Sequence, residues 1–529
     1  GYSRDGKAMT IGAALDQRIA AVIAGSPGVG GILPFRLAGE RNMAESIQST
    51  TLMFPDWFHP RLRYFAGRED RLPVDGNLLL ATIAPRPFFL VAGINDEVSN
   101  DWGDEQSFHS AQKVYDLLGA KDKLGILRVP GNHGANDWEQ AMTWLDIQFG
   151  KSDKKWTNNW MFAWDYQQWE KNDPVNLSRF TDRRGLDLLA NMGGGPITAS
   201  GWETTKVPEI RRNIEWLLGD PAVSPTAPAL PPRPAVQDVP AWVIRRSLGG
   251  LPEFGWYAAD NAKAATRPVE FNGVKGTLYY PKDTPPGTKL PVAIWLHSYS
   301  YPLGYMWVYH RELHPILGLV DNGYAVLAYD QTGFGSRMIE ASEPYLSQTP
   351  KWSQMGHMVA DARAAVDVLS KDPALDAKKI YLFGYSVGGS VALYTAAMEP
   401  RVAGVVSICG FTPMRTDTAD KGTGGLARFA IDRPLIPRLG AFIGNEGEIP
   451  VDYNEIIAAI APRPVYIMNP LYDRDATTPE VHAAAEAARK IYALYKAEDN
   501  LKLDEPYDYN ELAGTTQDRI LIWMSHNMK

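Results

Sequence analysis

One pentapeptide constrains the fold more than any other feature of the chain. Ile83-Ala84-Pro85-Arg86-Pro87 recurs as Ile460-Ala461-Pro462-Arg463-Pro464. Each copy follows a short apolar helical run and leads into a short buried-strand run. Each strand then enters an acidic turn, Asn95-Asp96-Glu97 in the first copy and Tyr472-Asp473-Arg474-Asp475 in the second. The two arginines stand 83 and 77 residues beyond a Gly-x-Ser motif, at Ser3 and Ser386. Such an identity in matching register implies two copies of one fold. A chain of 529 residues has room for both.

In the first copy, residues 19–24, 88–92 and 124–129 read as buried strands, and residues 77–83, 111–118 and 138–149 as helices. Alternating strands and helices point to parallel βαβ units. An amphipathic helix is expected over 207–218, followed by a Pro-rich stretch with extended backbone. Beyond it, strands are expected at 269–271, 276–280, 292–296, 325–329, 380–383, 404–408, 464–468 and 501–503, with helices such as 358–370 and 391–397 between them. Eight strands with interleaved helices make a complete doubly wound α/β domain. The division expected is residues 1–218 for the first copy, 219–240 for the linker and 241–529 for the second. The opening Gly1-Tyr2-Ser3 has the character of a mid-domain motif and no leader character, so the first copy is expected to lack its opening strands, as in a fragment or processed product. A half-sheet of that kind exposes an edge and should be unstable or pair with another chain.

Gly384-Tyr385-Ser386-Val387-Gly388-Gly389 lies between an expected strand and an expected helix. That is the nucleophile elbow of the α/β-hydrolase fold, whose tight turn lifts a serine hydroxyl above the sheet. The Val387 N–H is placed to donate to an oxyanion, and the loop His297-Ser298-Tyr299-Ser300-Tyr301 is where a second donor belongs. Asp473 has the offset of a triad acid, with Asp475 as the alternative. A histidine is missing after the last strand: Tyr509 stands roughly where it is expected, and His526 is the only later candidate. The first copy is complementary. Ser3, Asp96 and His133, the last in Pro130-Gly131-Asn132-His133-Gly134, follow the hydrolase order of nucleophile, acid and base, with Glu97 as the alternative acid. The fold class expected is therefore a tandem α/β-hydrolase, an incomplete N-terminal copy followed by a complete eight-stranded one.

Composition narrows the function. Apolar residues make up 45% and charged ones 22%, which excludes a disordered or fibrous chain. A net charge of −8 leaves no basic excess for nucleic acid. No run of 18 apolar residues is present to span a membrane. Cys409 is the only cysteine, so a Cys-rich metal site and an internal disulfide are both excluded.

Gly1-x-Ser3-Arg4-x-Gly6-Lys7 resembles the elbow of the glucuronoyl esterases, which cleave esters between glucuronic acid on xylan and lignin alcohols. The resemblance continues through Ser26-Pro27-Gly28-Val29-Gly30-Gly31, Arg36, Gly39-Glu40, Phe54-Pro55-Asp56-Trp57-Phe58, Leu72-Pro73-Val74-Asp75 and the first pentapeptide, over roughly residues 1–150. It implies that Arg4 stabilises the oxyanion, that Lys7 and Trp57 contact sugar hydroxyls and that Arg36 faces the uronate carboxylate. Arg36 pairing with Glu40, and Trp57 as lid core, are the structural alternatives. Many members carry a glutamate acid where this chain has Ser26, which passes the acid role to Asp96. More loosely, both copies look similar to larger bacterial acetyl xylan esterase-like proteins.

The leading expectation is a serine ester hydrolase for glucuronoyl or acetyl xylan esters of plant cell walls, working through an acyl-enzyme with no cofactor or metal. The substrate class implies a secreted or periplasmic site, and oligomeric state is left open. The alternatives are a generic carboxylesterase that uses Ser386, Asp473 and His526, and a non-catalytic hydrolase-like scaffold or carbohydrate-binding protein. A peptidase of the same fold is disfavoured by the sugar-like lid and the absence of a propeller.

Overall fold

The computed structural model describes residues 1–39, 44–94, 96, 99–131, 133–162, 164–190, 195–219, 264–301, 303–306, 314–341 and 351–528. Apart from Gly219, the linker expected over 219–240 lies outside them, as does Glu97. The described strands form two sheets, one of three strands and one of eight.

The smaller sheet is parallel, in the order β1 (Val22–Gly25), β2 (Phe88–Gly93), β3 (Leu124–Val129). Side chains alternate across it, as the period of a strand requires. Phe88, Leu90 and Ala92 meet α1 (Arg4–Leu15), α2 (Gly76–Ile83) and α3 (Asp101–Leu117) through Ala13, Leu80, Phe108 and Tyr115. Phe89 and Val91 face the other way, onto Ala141 and Trp144 of α4 (Trp138–Gln148). The expected exposed edges are partly covered. Gly1–Ser3 pair with the end of β1 (Ser3 N–H to Gly25 O, 2.8 Å). Along β3, the Ile126 and Arg128 N–H groups donate to the Asn158 and Asn159 side chains.

The larger sheet comprises β4 (Ala264–Phe271), β5 (Val274–Pro281), β6 (Leu290–Leu296), β7 (Ala325–Tyr329), β8 (Leu375–Tyr385), β9 (Val402–Ile408), β10 (Val465–Met468) and β11 (Leu501–Asp504). Their order is β11-β10-β9-β8-β6-β7-β5-β4. The six strands β6 to β11 are mutually parallel, whereas β4 and β5 form an antiparallel hairpin. Its turn is Asn272-Gly273, with φ of 49° and 74°, the residues a two-residue hairpin selects. The amphipathic helix α5 (Val207–Leu218), expected to close the first copy, packs on the second instead. Its apolar stripe of Ile210, Ile214 and Leu217 joins the core of the larger sheet, and Arg211 donates to Ala397 O at 2.8 Å. Amphipathicity identified the helix but could not say which sheet would cover it.

The pentapeptide does the same work twice. The Arg86 guanidinium donates to Ala13 O, Asp16 O and Ile19 O, closing the carbonyl end of the helix after Ser3. Arg463 donates to Ala396 O, Glu399 O and Val402 O behind α6 (Val387–Met398). Tyr115 and Tyr492 each donate to the carbonyl of their arginine at 2.9 Å. Upstream, Asp75 accepts from the Phe35 and Arg36 N–H groups, as Asp452 does from Met414 and Arg415. Asp75 and Asp452, Arg86 and Arg463, Asp96 and Asp473, and Tyr115 and Tyr492 are all 377 positions apart. Both copies therefore keep one backbone plan, and differences at equivalent positions are differences of chemistry.

Candidate active site

Two serines occupy the same strained backbone. Ser3 has φ 53° and ψ −126°, and Ser386 has φ 53° and ψ −119°. Positive φ is costly for a side chain with a Cβ and is retained where the hydroxyl must stand clear of the sheet. Each serine precedes a helix, α1 or α6, whose first N–H groups have no intrahelical acceptor. A Cβ at Gly384 or Gly388 would run into the backbone of Gly388 or Leu296, so the second turn closes only with glycine there.

In the first unit the histidine is in place. His133 Nε2 lies 2.9 Å from Ser3 Oγ, and its Nδ1 lies 3.0 Å from Asp96 Oδ1. Asp96 is buried, while a quarter of the His133 side chain is exposed. The Tyr2 ring packs against the imidazole, 5.5 Å between centroids. Arg4 follows the serine and is exposed at the head of α1.

The remaining expected contacts divide. Lys7 is buried and donates to Pro27 O at 2.6 Å; its Nζ is 5.5 Å from the centre of the Trp57 ring. Burial lowers its pKa, against the raising charges of Glu45, Asp96 and Asp104. Trp57 stacks on Phe54 with centroids 3.8 Å apart and remains partly exposed. Arg36 pairs with Asp75 (3.3 Å) and donates to Leu72 O. Arg415 makes the matching bond to Ile449 O in the second copy, so this tie belongs to the common fold. Glu40, the other expected partner of Arg36, lies outside the described residues. Glu45, which sequence reading missed, is buried near Lys7 and His133; burial raises its carboxyl, opposed by those two charges.

In the second unit no base reaches the serine among the described residues. Asp473 Oδ1 accepts from the Asp475 N–H (2.9 Å) and from Asn510 Nδ2 (3.0 Å). Asn510 stands 377 positions after His133, so the histidine's place holds an amide that cannot take up a proton. Tyr509, expected there, packs against Tyr472 instead. His526 is exposed on α7 (Gly514–Asn527) and its Nδ1 bonds to Ile522 O, one turn back on its own helix. Ser386 Oγ is buried and makes no hydrogen bond among the described residues. His297 is fully buried, accepts from the Gln331 N–H at 3.0 Å and is held neutral by burial, at a pKa of about 4. First-unit residues also lie over this site: Arg474 donates to Phe35 O at 2.7 Å and pairs with Glu69 at 3.1 Å, and Gln48 donates to Glu511 at 2.9 Å.

Behind the first unit's site lies a charge cluster that no sequence motif marked. Arg128 on β3 is wholly buried and reaches Asp101 (2.5 Å), Asp104 (3.4 Å) and Glu105 (4.0 Å) of α3. Burial raises Asp104 to about 6 and Glu105 to about 7, outweighing the lowering by one guanidinium. Carboxyls raised on folding stabilise the protein fully below their ordinary pKa and lose that contribution as pH rises through the folded values. Urea unfolding should therefore find the wild-type chain less stable at pH 8 than at pH 5. About 1–2 kcal/mol of that loss should come from Asp104, so Asp104→Asn should lose less over the same interval. Equal slopes for the two proteins would refute the assignment.

The order of the larger sheet, with a serine elbow between β8 and α6, defines an α/β-hydrolase fold. Known proteins resemble the two units differently. Residues 1–119 match the family model for glucuronyl esterases of fungi, and residues 304–484 match that for serine aminopeptidases of the S33 type. The carbohydrate esterase MZ0003 of an unknown prokaryotic organism is 29% identical over 163 residues, 28% of this chain and 37% of that protein. The 4-O-methyl-glucuronoyl methylesterase of Podospora anserina is 30% identical over 135 residues, 25% of this chain and 28% of that protein. The chain thus spans roughly a third of the length of these relatives. A glucuronoyl esterase from Solibacter usitatus superposes with a TM-score of 0.46 at 17% identity, over 65% of this chain and 97% of that one. Ser3, Arg4, Lys7, Arg36, Trp57 and Asp96 fall within the first matched segment, and His133 lies beyond it. No helix among the described residues is long and apolar enough to cross a membrane.

Proposed function

We propose that the chain is a serine carboxylic-ester hydrolase acting on glucuronoyl esters of plant cell-wall carbohydrate, with its chemistry in the first unit. The observation that carries this reading is the run of contacts from Ser3 Oγ through His133 to Asp96, with Ser3 and Asp96 inside the segment similar to glucuronoyl esterases. In it, Ser3 Oγ attacks the ester carbonyl while His133 Nε2 takes its proton. Asp96 holds the Nδ1–H tautomer and offsets the imidazolium charge. The Arg4 N–H, first in its helix, and the Arg4 guanidinium stabilise the oxyanion. His133 then protonates the departing alcohol, and water repeats the sequence on the acyl-enzyme. Lys7 and Trp57 take sugar hydroxyls and Glu45 sets the charge around them, while Arg36 serves the fold. A wall-polymer substrate implies a secreted or periplasmic enzyme. The second unit, with Asn510 in place of a base, serves as a scaffold or carbohydrate-binding partner.

Incubation with benzyl D-glucuronate should release benzyl alcohol and glucuronate. A fluorophosphonate should add to Ser3, as read by peptide mass spectrometry. Labelling of Ser386 alone, or turnover of p-nitrophenyl acetate with none of the glucuronate ester, would overturn the proposal.

A further inference from the structure

A cavity of about 250 Å³ lies where the two units meet, and none of Ser3, Asp96 or His133 lines it. From the second unit its wall includes Tyr299 and Tyr301, just beyond β6, and Phe334, beyond β7. Ligands of open α/β sheets bind outside the carboxyl ends of strands, which is this position. The first unit supplies the roof: Trp102 and Gln106 from α3, with Trp164. Trp164 is fixed there by donating to Ala430 O across the boundary at 2.9 Å.

Arg433 gives this cavity its chemistry. The residue is 8% exposed, and its guanidinium lies 3.7 Å from the centre of the Trp102 ring and 4.2 Å from that of Tyr299. Its Nε is buried without an acceptor, and no carboxylate of the described residues pairs with it within ion-pair distance. Ring faces compensate a buried cation in part, but they leave the planar N–H edge unused. That edge is the partner of a planar carboxylate. Asp432, also on the wall, is a second polar group; burial raises its carboxyl, opposed by Arg433. A second anion beside it would be repelled, whereas hydroxyls could donate to it, and Gln106 can take further hydroxyls. Indole faces suit the C–H face of a sugar ring.

We infer that this cavity is a binding site for a uronic acid residue, with the carboxylate on Arg433, hydroxyls on Asp432 and Gln106, and the ring against Trp164. It holds for a non-catalytic second unit and does not require the first unit to be an esterase. Such a site would keep an acidic polysaccharide on the protein while another part of it is processed.

Calorimetric titration of the full chain with D-glucuronate tests this. D-glucuronamide, the neutral isostere, and cinnamate, an aromatic acid without hydroxyls, serve as comparisons. Saturable glucuronate binding is expected, with glucuronamide at least about tenfold weaker, the loss of one charge-assisted contact. Arg433→Gln should weaken glucuronate by a similar factor. Because Arg433 is buried, Ile431→Trp provides an independent test: Ile431 is 39% exposed at the rim, and an indole there should obstruct entry without disturbing the core. Both variants should keep the wild-type circular dichroism. Unchanged binding in both, absence of saturable binding, or glucuronamide equal to glucuronate would overturn the proposal. Cinnamate binding as tightly as glucuronate would overturn the sugar assignment.

Discussion

Ser3→Ala should abolish hydrolysis of a glucuronate ester, while Ser386→Ala leaves kcat/KM within about twofold of wild type. His133→Ala should lose at least about 10⁴-fold in kcat, since a serine without a base is a poor nucleophile. Asp96→Asn should lose about 10³–10⁴-fold, because the amide favours the wrong imidazole tautomer. The asymmetry follows from equivalent positions. Both serines have the same φ and nearly the same ψ, so the strained turn alone does not distinguish them. What differs is the partner of each: an imidazole 2.9 Å from Ser3 Oγ, and in the second unit an acid engaged by an amide, with no hydrogen bond to Ser386 Oγ among the described residues. The measurement is steady-state hydrolysis of benzyl D-glucuronate by the four variants. Loss of activity in Ser386→Ala with retention in Ser3→Ala would transfer catalysis to the second unit and end the present reading.

Much of this site was legible in the sequence because catalytic order and strand patterning are local signals. Asp96 and His133 each follow a strand end that periodicity could find, Ser3 is marked by its Gly-x-Ser motif, and the structure joins them across 130 positions. The errors arose where spacing drifts or where contacts are non-local. The second base was sought by its place after the last expected strand, near Tyr509; counting from the serines would have reached Thr516 instead, because the two copies are 383 positions apart at the elbows and 377 beyond the lid. Stepping by 377 from His133 would have reached Asn510. His526 was chosen as the only histidine beyond the last strand, and a helix-terminal ring that bonds to its own preceding turn is the commoner outcome. Arg36 was read through a ligand, although the paired Leu72-Pro73-Val74-Asp75 and Ile449-Pro450-Val451-Asp452 segments already marked its neighbourhood as common to both copies. α3 was recognised only from residue 111, whereas it begins at Asp101. Its first turns bury acids on an arginine from another element, which no apolar period reveals.

That arginine carries the largest stability effect expected. Arg128→Met should destabilise the protein by about 3–5 kcal/mol at pH 8, the cost of leaving buried charge without its counter-ion. Methionine nearly fills the stem's volume, so the loss reports charge rather than a cavity. Asp101, Asp104 and Glu105 would then face one another in a wholly buried space. Their response to pH separates this cause from simple misfolding. In the wild type burial already holds Asp104 at about 6 and Glu105 at about 7, and removal of the guanidinium takes away what lowers them. At pH 5 the carboxyls of the variant bind protons and the penalty shrinks; at pH 8 it is paid in full. Urea unfolding of wild type and variant at the two pH values should therefore give a clearly smaller difference at pH 5. The effect should extend to function: Arg128 lies on β3, just ahead of the turn that carries His133, and donates to Asp101 O at the head of α3, just after the Asp96 turn. Esterase activity should fall with stability at pH 8. An equal loss at both pH values would mean that packing of the side chain, and not its charge, holds α3 to the sheet.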